Sequence, residues 1–575
     1  MDKADITKVE INNGVVSKTK SFFKVLPKAV HRISSNPVNR VAIIGAGACG
    51  TSILINLIQK LPVGSEIWVF DQTDSFGPGY PYDISQPPCF LLNRTVADMK
   101  KLAMPSNSDT ETSDHFFEWI VKNKISIIEK YSKWERQFPD TIAVLKQTLT
   151  VLDKKSIVPR SLYGMYLADC FEAHVKEAKK KGINVVKVSA KVTNVDDKFV
   201  TWNQDHASKL INIDYVVLTT GHWQKPKPIE YSNVAGFYNN PMVLGFAPND
   251  MTKIKGKTVF IKGTGLSAID AAIITLELGA KKVTMFSRHG KLRSLKGPWK
   301  ERPLVYLTLE NLEKLAKSYV SDRNYFRLEH LAQLMTKELE AAGMEVDWQE
   351  VISPKDPVKT AFEELERCKS GKEFVWRSIF ESSFPIHQEI FTRLHSHDKI
   401  IFLTKWLSVF MSYNSTIPAD SLERLIKYFD AGRFEVKSGK IILEYNKNSE
   451  TFEGVSQDST LTADILINAT GQDRKIDYMP LIQAMKERNM VSINPYGGIK
   501  ISETYNLIDG DGNKVDNIFV LGALANGDIL NYSDFDVLDE ISKKITDKIA
   551  QHIKIISEPS RLGVFFMDIL ITSNM

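Results

Sequence analysis

Gly45, Gly47 and Gly50 stand at GxGxxG spacing in the run VAIIGAGACGTSILINLIQKL. Glycine at the first position permits a tight turn, at the second lets an anionic group approach the main chain, and at the third lets a helix pack close to a strand. The free N–H groups and positive dipole end of a helix starting there suit phosphates. Asp71, 21 residues past Gly50, closes the next apolar run, EIWVFD. A carboxylate at that place accepts hydrogen bonds from ribose hydroxyls. Strand, turn, helix and acid together predict a dinucleotide seat. A second run, VFIKGTGLSAIDAAIITLELG, repeats the pattern with Gly263, Gly265 and Ala268, and carries Ser267 in the same turn. Alanine serves at the third position, where only close packing is needed. Its second strand ends in Ser287 and Arg288 rather than an acid. A guanidinium there suits a 2′-phosphate, which a carboxylate would repel. An acidic first seat and a basic second seat predict FAD in the first and NADPH, with NADH as the alternative, in the second. Hydride would pass from nicotinamide to flavin, and electrons onward to an acceptor.

These residues need elements to hold them. Each glycine run follows a β-branched apolar run and opens a helical pattern. The βαβ units span 41–71 and 257–290, about the 30 residues such a unit needs. Between them the sequence predicts a loop-rich stretch over 76–120, a helix from Ser161 to about Lys181, and strands at 184–187, 191–194 and Tyr215–Leu218. Residues 291–430 are mostly helical in pattern, with EHLAQLMTKELEAAG and DSLERLIKYFDAG the clearest amphipathic runs. DILINATG (464–471) echoes DYVVLTTG (214–221), and a closing helix over roughly 534–553 places Phe535, Leu538, Ile541, Ile545 and Ile549 on one face.

The expected fold class is α/β, with two Rossmann-like three-layer dinucleotide-binding domains, the FAD domain discontinuous, and a mostly helical insertion. The expected division is a flexible leader (1–38), the FAD-binding domain's first part (39–240), the NAD(P)H-binding domain's first part (241–290), the helical insertion (291–400), the NAD(P)H domain's completion (401–455), the FAD domain's second part (456–553) and an apolar tail (554–575).

Composition agrees with a globular protein of several domain-equivalents: 575 residues, 43% hydrophobic and 25% charged. A net charge of +5 is too weak over this length to argue for nucleic acid. Cys49, Cys89, Cys170 and Cys368 lie far apart with no CxxC, against a zinc ribbon, a dithiol or a secreted disulfide framework. His395 and His397, at i and i+2, do not share a helix face, and no metal site is expected. No run of about 18 apolar residues exists, so no spanning helix is expected. Missing targeting signals lead to an expected cytoplasmic location. The tail GVFFMDILIT (563–572) is expected to pack on the body.

Two further segments carry a resemblance. FGPGYPYDISQPPCFLLNRTVADM (76–99) and VPRSLYGMYL (158–167) are similar to stretches of the flavin-dependent N-hydroxylating monooxygenases, the ornithine and lysine hydroxylases, within the FAD/NAD(P)-binding flavoproteins. The likeness covers about 40–290 and 455–550. It implies that the first segment, with Phe76, Gly77, Gly79 and Tyr80, wraps the isoalloxazine. Leu92, Asn93 and Met99 match the group's L-N…M pattern, which implies that Asn93 lies near the flavin with its amide toward substrate or peroxide. By the same resemblance, Arg160 faces the FAD phosphates, and Gly221 and Gly471 mark the crossovers between domains. Gly522 to Asp528 forms the last FAD-contacting strand, with Asp528 on the ribityl chain, and the helix after it points its N-terminus at the flavin pyrimidine. The resemblance implies a single-component monooxygenase that oxygenates a nitrogen of a small amine or amino acid with O₂ activated at the flavin. A homo-oligomer is compatible with the sequence. Two other readings are open: a flavin reductase or dehydrogenase serving another acceptor, and a non-catalytic FAD-binding interaction module. The chain departs from the flavin monooxygenase signature FxGxxxHxxx(W), because no histidine follows shortly after Gly236. The stretch 291–400 has no counterpart in the resemblance.

Overall fold

The computed structural model describes residues 39–557 apart from 100–101, 106–113, 222–226, 242–252, 319–324, 353, 440, 456–459 and 472–473. The leader and the apolar run 563–572 lie outside the described residues.

Two sheets organise the chain. The first has six strands, in the order Asn506–Ile508, Lys514–Val520, Tyr215–Leu218, Arg40–Ile44, Glu66–Asp71 and Asn184–Ser189. All its neighbours are parallel except the first pair. The apolar runs that predicted these strands are buried on both faces, as a helix-covered parallel sheet requires: Val41, Ala42 and Ile43 are fully inaccessible. Helix Ala48–Lys60 and the closing helix Phe535–Ser557 pack against each other here. Phe535, Leu538, Ile541, Ile545 and Ile549 are all buried, as the 3.6-residue spacing requires. Buried Asn56 adds a hydrogen bond of 3.2 Å from Nδ2 to Ser542 Oγ.

The second sheet has five parallel strands, in the order Phe434–Ser438, Lys282–Ser287, Thr258–Lys262, Ile465–Asn468 and Phe237–Tyr238. Two sequence-based boundaries need correction. Ile465–Asn468, expected within the FAD domain's second part (456–553), pairs with Thr258–Lys262 in the second sheet. Phe237–Tyr238, expected within 39–240, pairs beside it. The physical reason is the duplication. Asp214, which opens DYVVLTTG, accepts the Arg40 N–H at 2.7 Å, and Asp464, which opens DILINATG, accepts the Thr258 N–H at 2.8 Å. Each repeat therefore docks on its own unit's first strand. The helical block also runs past 400, ending with Ala419–Asp430 before the strand at Phe434. The amphipathic run DSLERLIKYFDAG buries Leu422 and Leu425, which keeps it helical.

The units meet through the segments that precede and follow the first cleft. Arg160, at the start of helix Arg160–Lys180, forms an ion pair with Asp270 of helix Leu266–Glu277. Lys296 Nζ meets Asp98 Oδ2 at 2.6 Å, and Asn240 Nδ2 donates to Tyr80 Oη at 2.6 Å. One continuous apolar cluster joins Phe90, Leu92, Met99 and Tyr163 to Ile261, Ala268 and Ile465 of the second unit.

Candidate functional site

The first glycine turn lies over the end of the first sheet. Gly45 has φ +109°, and a Cβ on it would stand 2.5 Å from the carbonyl oxygen of Thr219. Only glycine fits that approach. Its N–H donates to Phe70 O at 2.8 Å. Gly50 allows the helix to cross the turn, since a Cβ there would stand 2.0 Å from Gly45 O. Gly47 caps the helix Ala48–Lys60 and faces Gly79 of the FGPGY segment, whose Gly77 N–H donates to Ala46 O at 2.8 Å. Around this turn opens a cleft of about 290 Å³, lined among others by Gly45, Gly47, Asp71, Tyr80, Gly221 and Tyr532. Asp71 Oδ2 accepts the Ala46 N–H at 3.0 Å, and its Oδ1 takes the Thr73 N–H and hydroxyl.

The second turn repeats this construction. Gly263, at φ +121°, donates its N–H to Phe286 O at 2.7 Å, and its Cβ would stand 2.4 Å from Ala469 O. Gly265 caps the helix Leu266–Glu277. A cleft of about 340 Å³ is lined by Gly263, Gly265, Ser267, Arg288 and Gly471, together with Arg293 and Lys291. Ser287 stands where the first unit has Asp71. Thr264, in place of Ala46, donates to Lys291 O at 2.7 Å and is 3.1 Å from Ser287 Oγ.

The expected residues thus divide. Gly45, Gly47, Asp71 and Gly221 meet in the first cleft, with Gly50 packed beneath its turn, and Gly263, Gly265, Ser267, Arg288 and Gly471 meet in the second. Gly522, at φ +84°, abuts the first turn, since its Cβ would stand 3.1 Å from Cys49 Sγ. Three other expected residues stand outside the linings of these two clefts. Arg160 lines neither cleft; its guanidinium is held by Asp270 and by Leu91 O, at 3.0 Å from Nε. Asp528 is not among the residues lining the first cleft, and it accepts the Ile501 N–H at 3.0 Å. Burial raises its carboxyl above the usual range, and that hydrogen bond offsets part of the rise. Asn93 is half-buried and lines neither cleft, next to Arg94, which is paired with Asp534 and Asp536 at the start of the closing helix.

The sequence reading missed Tyr532, Ser533 and Lys191 in the first cleft and Lys291 and Arg293 in the second. For the last two a signal existed, the basic run RHGKLR directly after the second strand. Burial pulls the Lys291 ammonium down to about 8 and the Arg293 guanidinium to about 10. Burial pushes the Cys49 thiol up to about 12, which makes it a poor nucleophile despite its place in the first cleft.

Both seats fit a dinucleotide: a glycine backbone without a side chain, an uncapped helix start, and charge of the expected sign at the strand end. Residues 42–223 match the FAD-NAD(P)-binding family. This stretch is an FAD/NAD(P)-binding domain. The chain is 24% identical over 496 residues to the uncharacterized protein YdhS of Escherichia coli K12, covering 76% of this chain and 83% of that one. It is 27% identical over 259 residues to the trimethylamine monooxygenase of Pelagibacter ubique, covering 44% of this chain and 52% of that one. Its fold is similar to that of the FAD-bound cadaverine monooxygenase of Erwinia amylovora, with a TM-score of 0.53 at 13% identity over 89% of this chain and 95% of that one. Among the described residues, no helix is long and apolar enough to cross a membrane, and no group of three metal-ligating side chains occurs.

Proposed function

We infer that the chain is a single-component monooxygenase that holds FAD in the first cleft and NADPH in the second, and oxygenates a nitrogen of a small amine or amino acid. The observation that carries this reading is the pair of clefts: the same glycine frame built twice in one chain, ended by Asp71 in one unit and by Ser287–Arg288 in the other. Bound flavin supplies the redox and oxygen-activating chemistry. The chain's own residues position it. Gly47 and the start of helix Ala48–Lys60 offer main-chain N–H groups to phosphates, and Asp71 offers acceptor oxygens to ribose. In the second cleft, Ser287 removes the negative charge and Arg288 adds a positive one, which favours a 2′-phosphate. Chemistry of this type asks side chains for positioning and exclusion of water more than for proton transfer, in keeping with the inert thiol at Cys49. The similarity to amine monooxygenases supports the substrate class.

The test is NADPH-dependent oxygen uptake by purified, flavin-loaded protein across a panel of small amines and amino acids, with the N-oxygenated product quantified. Product formed in step with NADPH loss is expected. Stoichiometric hydrogen peroxide with every amine, or oxygen-independent turnover with an artificial acceptor, would replace the monooxygenase reading with that of a reductase.

A further inference from the structure

Arg293 reaches the second cleft from a segment that the fold pins in place. After strand Lys282–Ser287 the chain turns at Gly290, φ +62°, and runs back beside the glycine turn. Thr264 bonds Lys291 O, Ser294 N–H donates to Ser412 O at 3.0 Å, and Leu295 N–H donates to Glu364 Oε2 at 2.7 Å. Between these anchors the guanidinium lies over Gly265: its Nη2 is 3.4 Å and its Nε 3.7 Å from where a Cβ on Gly265 would stand.

The neighbouring cation is already engaged. Lys291 Nζ donates to Val351 O and to Tyr413 Oη, and it lies 4.5 Å from the Tyr413 ring centroid. Arg293 is different. Its Nη1 is fully buried without a hydrogen-bond partner, and burial alone depresses its guanidinium, with no carboxylate to offset the effect. A buried cation lacking a counter-charge is costly to keep. This one faces the start of a twelve-residue helix, Leu266–Glu277, whose first N–H groups need acceptors. Cation and helix start both line the second cleft, at the glycine whose missing side chain admits a pyrophosphate.

We propose that Arg293 binds the pyrophosphate of the nicotinamide dinucleotide, sharing it with the start of helix Leu266–Glu277. This rests on the second cleft being the nicotinamide site. It assigns Arg293 a different task from Arg288, which stands at the strand end, on the ribose side. Arg293 then supports NADPH and NADH alike, whereas Arg288 supports only the phosphorylated form. A guanidinium suits the task because its fork can span two phosphate oxygens.

The experiment is titration of the FAD-loaded protein with NADP⁺ and with NAD⁺, followed by calorimetry or by the flavin spectrum. Arg293→Ala is expected to weaken both nucleotides by a similar factor of about tenfold or more, the worth of one charge-assisted hydrogen bond. Arg293→Lys, which keeps the charge but loses the fork, is expected to fall between. If Arg293→Ala does not retain flavin, Arg293→Lys carries the test, and wild-type affinity for both nucleotides in that variant overturns the proposal. Unchanged affinity in Arg293→Ala, or a loss confined to NADP⁺, also overturns it while leaving the second cleft as the nicotinamide site. Wild-type protein that binds neither nucleotide overturns both readings together.

Discussion

Replacing Gly47 with valine separates a cofactor seat from a structural turn. Gly47 has φ −73° and ψ −165°, extended backbone that any residue adopts, so space rather than strain decides the outcome. A Cβ would stand 3.3 Å from the α-carbon of Gly79, which is tight but within reach of a small shift of the FGPGY segment. Overpacking of this kind costs about 1–3 kcal/mol, within the roughly 5–15 kcal/mol that holds a domain together. The fold should therefore survive. The flavin should not be held as before, because Gly47 lines the cleft at the helix start and the valine methyls occupy the phosphate's approach. Losing one charge-assisted hydrogen bond costs about 1.5–3 kcal/mol, or roughly 10- to 150-fold in FAD affinity at about 1.4 kcal/mol per decade. The assay is flavin absorbance per polypeptide after purification, then reconstitution with FAD, with circular dichroism to confirm the fold. Gly50→Ala is the contrast: its Cβ would stand 2.0 Å from Gly45 O, so this variant should lose turn and flavin together. A folded Gly47→Val protein with wild-type flavin content and affinity would refute the assignment of the first cleft.

Arg288→Ala should weaken NADPH far more than NADH in steady-state KM and in binding; equal losses would remove the 2′-phosphate role of this strand end. Asp270→Ala should destabilise the chain by about 3–5 kcal/mol, since it leaves the Arg160 guanidinium poorly exposed and without its carboxylate. Thermal unfolding or limited proteolysis would show the loss, with Asp270→Leu combined with Arg160→Met much milder. Lys291 should make stability rise with pH. Burial holds its folded value at about 8, below the ordinary value of about 10.4, so between these pH values the unfolded chain binds more protons than the folded one. Unfolding measured at pH 7.5 and 9.5 should show a gain of about 1–3 kcal/mol from this group. Lys291→Met should lack that gain, and an identical pH profile in the variant would count against it.

The strands and both glycine turns were legible because their signals are local. An apolar β-branched run, a glycine that must take positive φ, and a helix period lie within 30 residues of one another in each unit. Ownership of strands was not. Ile465–Asn468 carries no mark of which sheet it joins, except that its leading Asp464 matches Asp214, and only pairing shows that each aspartate caps its own unit's first strand. Arg160, Asn93 and Asp528 came from a likeness of segments. Such a likeness fixes a residue's neighbours along the chain but not the partner that its side chain meets across the seam. Asp270 takes Arg160, and the Ile501 N–H takes Asp528. For Arg293 the basic run RHGKLR was visible but its placement was not: the segment folds back onto the turn through Thr264, Ser412 and Glu364, residues scattered over a long stretch of chain.

Two exchanges of side chains at one junction distinguish the two seats. In the first unit the turn's Ala46 N–H binds Asp71, which keeps a carboxylate at the strand end and favours hydroxyls over phosphate. In the second, Thr264 replaces Ala46 and its hydroxyl reaches Ser287 and Lys291 O, so the same junction is closed without a charge. Removing the acid makes a basic strand end useful: beside a carboxylate, Arg288 would be partly neutralised, whereas beside Ser287 its charge is available to a ligand. On the proposed assignment, the frame that both units share, with its first glycine against a crossover carbonyl and its helix start open, would bind the part common to both cofactors. The residues that differ, Asp71 against Ser287 with Arg288, would read the part that is not common. That assignment puts specificity at the strand ends and affinity at the turns, so substitutions at Arg288 and at Gly47 should fail in different ways.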